Sequence, residues 1–330
     1  MTASLSVSRR QIVKGAGLTA VGLFAERLAG PAMAKAPLAN TQAPAFYRFK
    51  LGAFEGTVVS DGPLILGEPQ PNMYVGVSKE AFTKALADNF LPTDNVAFEQ
   101  NALVINTGNH LVLFDTGMGD DKLFGPTTGR LIANLKAAGI DPKDIDAVAL
   151  THAHPDHCWG LLAENGSRHF PNAQIYMAQA DLDFWTDEAK LTQDAIKGFV
   201  EGARKQLLPN RDRIVFIKDG QEFLPGIQAM AAPGHTVGHL VFLISSQGKT
   251  LCNAGDVVHH HIIPVEQPRL EFSFDTDPKQ GAESRARVFD MLSSSRIPSI
   301  TYHFVWPGIG HIAKQGAGYR YFPTPMQMAL

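Results

Sequence analysis

Between Thr151 and His157 the chain carries four side chains of metal-ligand type, His152, His154, Asp156 and His157. In extended backbone, residues two apart point the same way, so His152 and His154 can converge on one ion. A turn at Pro155 would swing Asp156 and His157 toward a second ion. Imidazole nitrogen and carboxylate oxygen suit Zn²⁺ at about 2.0–2.2 Å. Three further donors follow at distant points: His235 in a Pro-Gly turn, Asp256 in Ala254-Gly255-Asp256, and His303 after Tyr302. Singly they read as a turn histidine, a cap and a core histidine. Together they supply ligands that the first cluster lacks. Cys158 and Cys252 read as core thiols rather than as a nucleophile or a disulfide.

These donors need strands that end beside one another. Ala147–Leu150 is a short apolar run directly before the first cluster, Ile227–Ala231 precedes His235, and Thr250–Asn253 precedes Asp256. Ser299–Tyr302 is read as a last short strand leading into His303. Upstream, Phe46–Ser60 alternates around Gly52 as a hairpin would, and Ala102–Asn106 with Leu111–Phe114 makes a second hairpin. Strands are also expected at Ile214–Ile217 and Leu240–Ile244. Helical spacing marks Ser78–Asn89 with Ser78 as N-cap, Thr128–Ala138 stopped by Gly139, Ala180–Leu208 and Pro278–Ser293. No repeat or low-complexity linker divides this body.

Composition narrows the class. The 330 residues are 45% hydrophobic and 18% charged, with 29 Lys+Arg against 32 Asp+Glu. That balance offers no bulk positive field for nucleic acid. No uncharged apolar stretch reaches the roughly 18 residues of a membrane span. Two cysteines cannot form a disulfide framework. At the N-terminus, Arg9-Arg10, an apolar stretch from Gly15 to Ala25 and Ala32-Met33-Ala34 resemble a twin-arginine export signal over residues 1–34, cleaved after Ala34. Periplasmic or secreted location is the expectation, with residues 35–330 as one domain.

The string His152-x-His154-x-Asp156-His157, with His235, Asp256 and His303 in order, resembles the metallo-β-lactamase superfamily of dinuclear hydrolases. Asp115-Thr116-Gly117 is similar to that superfamily's early motif. Phe124-Gly125-Pro126-Thr127, Asp183-Phe184-Trp185, Gly234-His235-Thr236-x-Gly238-His239 and Pro307-Gly308-Ile309-Gly310-His311 resemble the methyl-parathion-hydrolase branch, which also holds lactonases and esterases. The resemblance implies an α/β fold, a four-layer αβ/βα sandwich in a single domain, and a homodimer. It implies that His152, His154 and His235 bind one Zn²⁺, that Asp156, His157 and His303 bind another, and that Asp256 bridges them. Two such metals lower the pKa of a shared water from 15.7 toward about 7, making a bridging hydroxide the nucleophile. Asp156 or Asp256 would pass a proton to the leaving group, with His239 a hydrogen-bond support rather than a ligand.

The branch resemblance places Phe124, Trp185 and Phe199 around the substrate, and His259 and Phe274 are expected in the same pocket. His259, three positions after Asp256, would hydrogen-bond a lactone or ester oxygen, where an apolar residue would better suit an aryl phosphotriester. A solvated His259–His261 loop is the competing reading. No tyrosine lies between Tyr176 and Tyr302, which counts against acyl-homoserine lactones as substrates. The expectation is an exported dizinc lactonase or arylesterase acting on a small molecule, with organophosphate triester hydrolysis as a side reaction. A dedicated organophosphate hydrolase is the alternative, and an iron persulfide dioxygenase a remote one. Histidine at 154, where diiron relatives carry glutamate, favours zinc chemistry.

Overall fold

The computed structural model describes residues 38–327 and 329–330, so the export segment expected over residues 1–34 lies outside the described residues. Contacts divide the chain at Ala43; Leu38–Ala43 are exposed and irregular, and Pro44–Leu330 forms the second unit. That unit opens with strands β1 (Phe46–Leu51), β2 (Phe54–Ser60) and β3 (Leu64–Gly67), helix α1 (Lys79–Asp88) and strands β4 (Val96–Phe98), β5 (Asn101–Asn106) and β6 (Leu111–Phe114). Helix α2 (Leu131–Ala137), β7 (Ala147–Ala149), the single turn α3 (Pro155–Cys158), β8 (Gln174–Met177), α4 (Gln179–Thr186), α5 (Lys197–Leu207) and β9 (Ile214–Phe216) complete its first half. The second half runs β10 (Glu222–Leu224), β11 (Ile227–Ala231), β12 (Leu240–Ser246), β13 (Lys249–Asn253), α6 (Ile263–Glu266), α7 (Pro278–Ser295), β14 (Ser299–Ile300), β15 (Ile309–Gln315) and β16 (Gly318–Pro323).

Two seven-stranded sheets result, ordered β1-β2-β5-β6-β7-β8-β9 and β10-β11-β12-β13-β14-β15-β16. Strand alternation decides their packing. Leu103 and Ile105 of β5, with Val112 and Phe114 of β6, face the second sheet's Phe242, Ile244 and Leu251 in one core. Ala102, Val104 and Leu113 point the other way, into a core shared with α2, α4 and α5. On the far side Val241 and Cys252 meet Val288, Phe289 and Leu292 of α7. Helix, sheet, sheet and helix therefore stack as four layers, as expected. A fourth core, built from Leu64, Tyr74, Phe82, Val96 and Phe98, joins the small β3-β4 ribbon and α1 to Ile262, Ile263 and Phe272.

Several boundaries differ from expectation for physical reasons. Helix α2 begins at Leu131 rather than Thr128, because Gly129 is left-handed at φ 75°. The stretch Ala180–Leu208 is two helices parted by a 3₁₀ turn over Glu188–Thr192. Strand β14 stops at Ile300 and is not the last, since β15 and β16 form a hairpin beyond it. The sequence reading also missed β8, a short Gln-Ile-Tyr-Met segment without a flanking glycine.

One buried carboxylate ties the loops of the first half together. Asp61 accepts backbone N–H bonds from Met118 (2.9 Å), Gly129 (3.1 Å) and Leu131 (2.7 Å), the last at the start of α2. Asp61→Ala would strand two buried donors and one part-buried donor, so urea denaturation should show stability reduced by about 2–4 kcal/mol. A loss below about 1 kcal/mol would mean that these bonds are replaced by water.

Candidate metal centre

Register explains why distant residues meet. β13 and β14 pair in parallel with Asn253 opposite Ile300, so Asp256 and His303, each three residues further on, emerge together. β11 runs parallel to β13, because both are antiparallel to β12, and its exit loop carries His235. In the facing sheet β7 leads into His152 and His154, and the Thr151 carbonyl accepts the Leu240 N–H at 2.9 Å across the sheets. Pro155 then starts α3, which redirects the chain so that Asp156 and His157 face inward from a helical turn. Carboxyl ends of strands are the usual site edge of such sheets.

All seven expected ligand residues come together, in two buried groups. His152, His154 and His235 form one; Asp156, His157, Asp256 and His303 form the other. In the first, His154 Nδ1 lies 2.9 Å and His152 Nε2 lies 3.2 Å from His235 Nε2. Nitrogens bound tetrahedrally to one zinc stand about 3.3 Å apart, so the spacing fits a cation. In the second, Asp256 Oδ2 lies 2.9 Å from His303 Nε2, 3.2 Å from His157 Nε2 and 3.4 Å from His235 Nε2 of the first group. Asp156 Oδ2, His157 Nε2 and Asp256 Oδ1 are buried without any hydrogen-bond partner. Orphaned polar atoms of this kind are costly unless something binds them. The residues present thus fit divalent metal.

Behind four of the five histidines a second contact fixes which nitrogen faces inward. His157 donates Nδ1–H to Asp115 Oδ2 at 2.9 Å, and Asp115 is itself held by the Thr151 N–H (2.8 Å) and hydroxyl (2.9 Å). His235 donates Nδ1–H to Asp275 Oδ1 at 2.8 Å, and His303 donates Nδ1–H to the Glu99 carbonyl at 2.8 Å. His152 Nδ1 lies 3.0 Å from the Thr151 hydroxyl. Tyr302 donates its hydroxyl to the Asp156 carbonyl at 2.7 Å while its ring lies against His157. His239 Nε2 accepts the Asp256 N–H at 2.9 Å, so it supports the site without reaching into either group.

Electrostatics follow from burial and the neighbours. Burial drives His152, His154 and His235 well below the ordinary histidine value, leaving neutral imidazoles, the form that binds metal. Burial also opposes charge on His157, but Asp256, Asp156 and Asp115 outweigh it and hold that imidazole well above its ordinary value. Burial likewise works against ionised Asp256, yet His157 and His303 hold its carboxyl well below the carboxylate range. Three carboxylates within 3.3 Å of one imidazole mark a point that attracts positive charge.

The expected pocket residues fall into place unevenly. Phe199 lies 5.7 Å from the His154 ring and meets Phe124 edge-on at 6.5 Å. Trp185 is only 2% exposed and abuts His154 at 4.9 Å, so it backs a ligand rather than offering surface to a substrate. His259 is buried with Nε2 3.3 Å from Asp256 Oδ2, and His260 is buried too, so the solvated-loop reading does not hold. Phe274 is 64% exposed and touches the site only through Phe272, which stacks on His259 at 4.1 Å. Phe98, 5.4 Å from His303 and 6.0 Å from His259, is a second aromatic the sequence reading missed. Asp275 was missed as well, since next to Asp277, the N-cap of α7, it reads as part of a helix start.

Asp115→Asn and Asp275→Asn keep size but remove the acceptor charge behind one histidine each. Zinc affinity, read by competition with a chromophoric chelator, should fall about 10–100-fold in either variant. Wild-type affinity in both would show that these carboxylates do not orient the ligands.

Comparison with known proteins agrees with this geometry. The family described as "Metallo-beta-lactamase superfamily" matches residues 96–295. An N-acyl homoserine lactonase of Bacillus sp is 27% identical over 234 residues, covering 68% of this chain and 82% of its own. Among solved structures, AidC, a dizinc quorum-quenching lactonase in complex with a product, superposes with TM-score 0.79 at 28% identity, over 86% of this chain and 99% of that one. The hydrolase AbOPH superposes with TM-score 0.80 at 27% identity, over 87% and 100%. With a family match across most of its length, and with the four-layer fold in place, the chain belongs to the metallo-β-lactamase superfamily.

Proposed function

We propose that this protein is a dizinc hydrolase that opens lactones and cleaves aryl esters, with organophosphate triester hydrolysis as a side reaction. The observation that carries this reading is Asp256 Oδ2, which lies within 3.4 Å of His235 in one donor group and of His157 and His303 in the other. His152, His154 and His235 would hold one ion, Asp156, His157 and His303 the second, and Asp256 both. Zinc bound there would supply a water with its pKa lowered toward about 7 and a Lewis acid for the attacked carbonyl. Neither Cys158 nor Cys252 is placed to act as nucleophile, both being buried with thiol values pushed up.

The chain's own residues do the rest. Asp256 Oδ1, buried and without a partner, is positioned to take a proton, and Asp156 Oδ2 is the other carboxylate oxygen available to pass one to the departing alkoxide. His259 turns Nε2 toward Asp256 Oδ2 at 3.3 Å, where it can donate to the carboxylate that both groups share. Phe124 and Phe199, only partly buried, bring aromatic surface beside His154, which suits an acyl or aryl group, while buried Phe98 and Phe272 pack behind His303 and His259. The lactonases among the relatives return acyl-homoserine lactones to the substrate set, despite the missing tyrosine. We propose also that residues 1–34 export the protein to the periplasm, where it works as a homodimer.

A substrate panel tests the reading. Values of kcat/KM for dihydrocoumarin, an N-acyl homoserine lactone and phenyl acetate should exceed that for methyl paraoxon by about tenfold or more, and chelation should abolish all four. A phosphotriester preferred by orders of magnitude would make it a dedicated organophosphate hydrolase. Iron on elemental analysis with oxygen uptake on a persulfide would replace hydrolysis altogether.

A further inference from the structure

Outside the ligand set, one buried acid touches both loops that deliver the three-histidine group. Asp181 lies in the first turn of α4 and is fully buried. Its Oδ2 accepts the N–H of Ala153, the residue between His152 and His154, at 2.7 Å. Its Oδ1 accepts the N–H of Gly238, three residues after His235, at 2.7 Å. Each loop comes from a different sheet, so one carboxylate spans the gap between the two halves at the metal-bearing edge. Gly238 is required for this approach, since a Cβ there would stand 2.7 Å from the Asp181 nitrogen. One turn further along α4, Trp185 presses on the His154 ring, and the Cys158 thiol donates to the Ala153 carbonyl at 3.4 Å. The short loop thus has its backbone held on both sides and one of its rings backed.

We infer that Asp181 is a positioning residue for the metal group formed by His152, His154 and His235, clamping their two loops at the separation the ion requires. The inference rests on the dimetal reading above. An ionised carboxylate makes stronger bonds to backbone N–H than a neutral group does, and burial that pushes Asp181 up to about 6 still leaves it ionised at neutral pH. Its bonds go to the two ligand loops, which sets it apart from an ordinary helix cap. Asparagine there could keep one acceptor but would turn an NH₂ toward the other N–H.

Stepwise zinc dissociation constants, measured by competition with a chromophoric chelator, distinguish a clamp from mere structural support. Asp181→Asn should weaken one of the two zinc ions about 10–100-fold and leave the other near wild type, while the metal-free variant still unfolds cooperatively. Gly238→Ala attacks the same contact from the opposite side and should produce the same split; it decides the matter if Asp181→Asn does not fold. Both constants within threefold of wild type, with only the metal-free Tm lowered, would overturn the inference. A wild-type protein that fails to take up two zinc ions would count against the dimetal reading instead.

Discussion

A single carboxylate oxygen in a buried cluster of imidazoles governs this molecule. Asp256 Oδ2 lies within 4 Å of nitrogens from His152, His157, His235, His259 and His303, and the residue is only 3% exposed. Buried charge of that kind survives only if positive charge is shared among its neighbours. Burial holds the imidazoles of the three-histidine group neutral, with His154 Nδ1 and His152 Nε2 both turned toward His235 Nε2. Both facts call for cations, and the two donor groups are spaced to receive them.

The fold can be understood as the scaffold this constraint demands. Ligands from four strand ends must arrive within a few ångströms, although they lie up to 151 positions apart in the chain, from His152 to His303. Parallel pairing of β13 with β14 aligns two of the exits, the antiparallel run through β12 aligns a third, and sheet-on-sheet packing brings β7 opposite them. Buried acids then fix the loops: Asp115 behind His157, Asp275 behind His235, and Asp61 across the early turns. Arg285, itself buried, donates to the carbonyls of Val257 and Leu270 and lies 3.9 Å from Asp275, so it braces the loop that carries His259. Chemistry and folding use the same polar contacts here.

Much of this was legible in the sequence, because metal ligation imposes residue type and spacing together. His152, His154, Asp156 and His157 crowd a strand end, where chance seldom puts four donors, and the short apolar run before them is equally plain. The supporting acids were not legible. Asp275 looks like part of a helix cap and Asp181 like an ordinary first-turn acid, since what distinguishes them is a partner 40 or 28 residues away. Phe272, not the expected Phe274, packs at the site, which the sequence hides for a similar reason: in an irregular segment, periodicity cannot tell which aromatic turns inward. The hairpin of β15 and β16 is not legible because Gly310, His311 and Lys314 in one strand and Gly318 and Arg320 in the other leave few apolar residues to mark either.

Calorimetric titration of zinc into metal-free protein, for the wild type and Asp256→Asn side by side, addresses the shared carboxylate most directly. Two ions should bind per wild-type chain, and both should weaken together in the variant, because one oxygen serves both groups. If one site keeps its wild-type affinity when Asp256 is neutralised, the residue does not bridge, and the dinuclear centre described here is wrong.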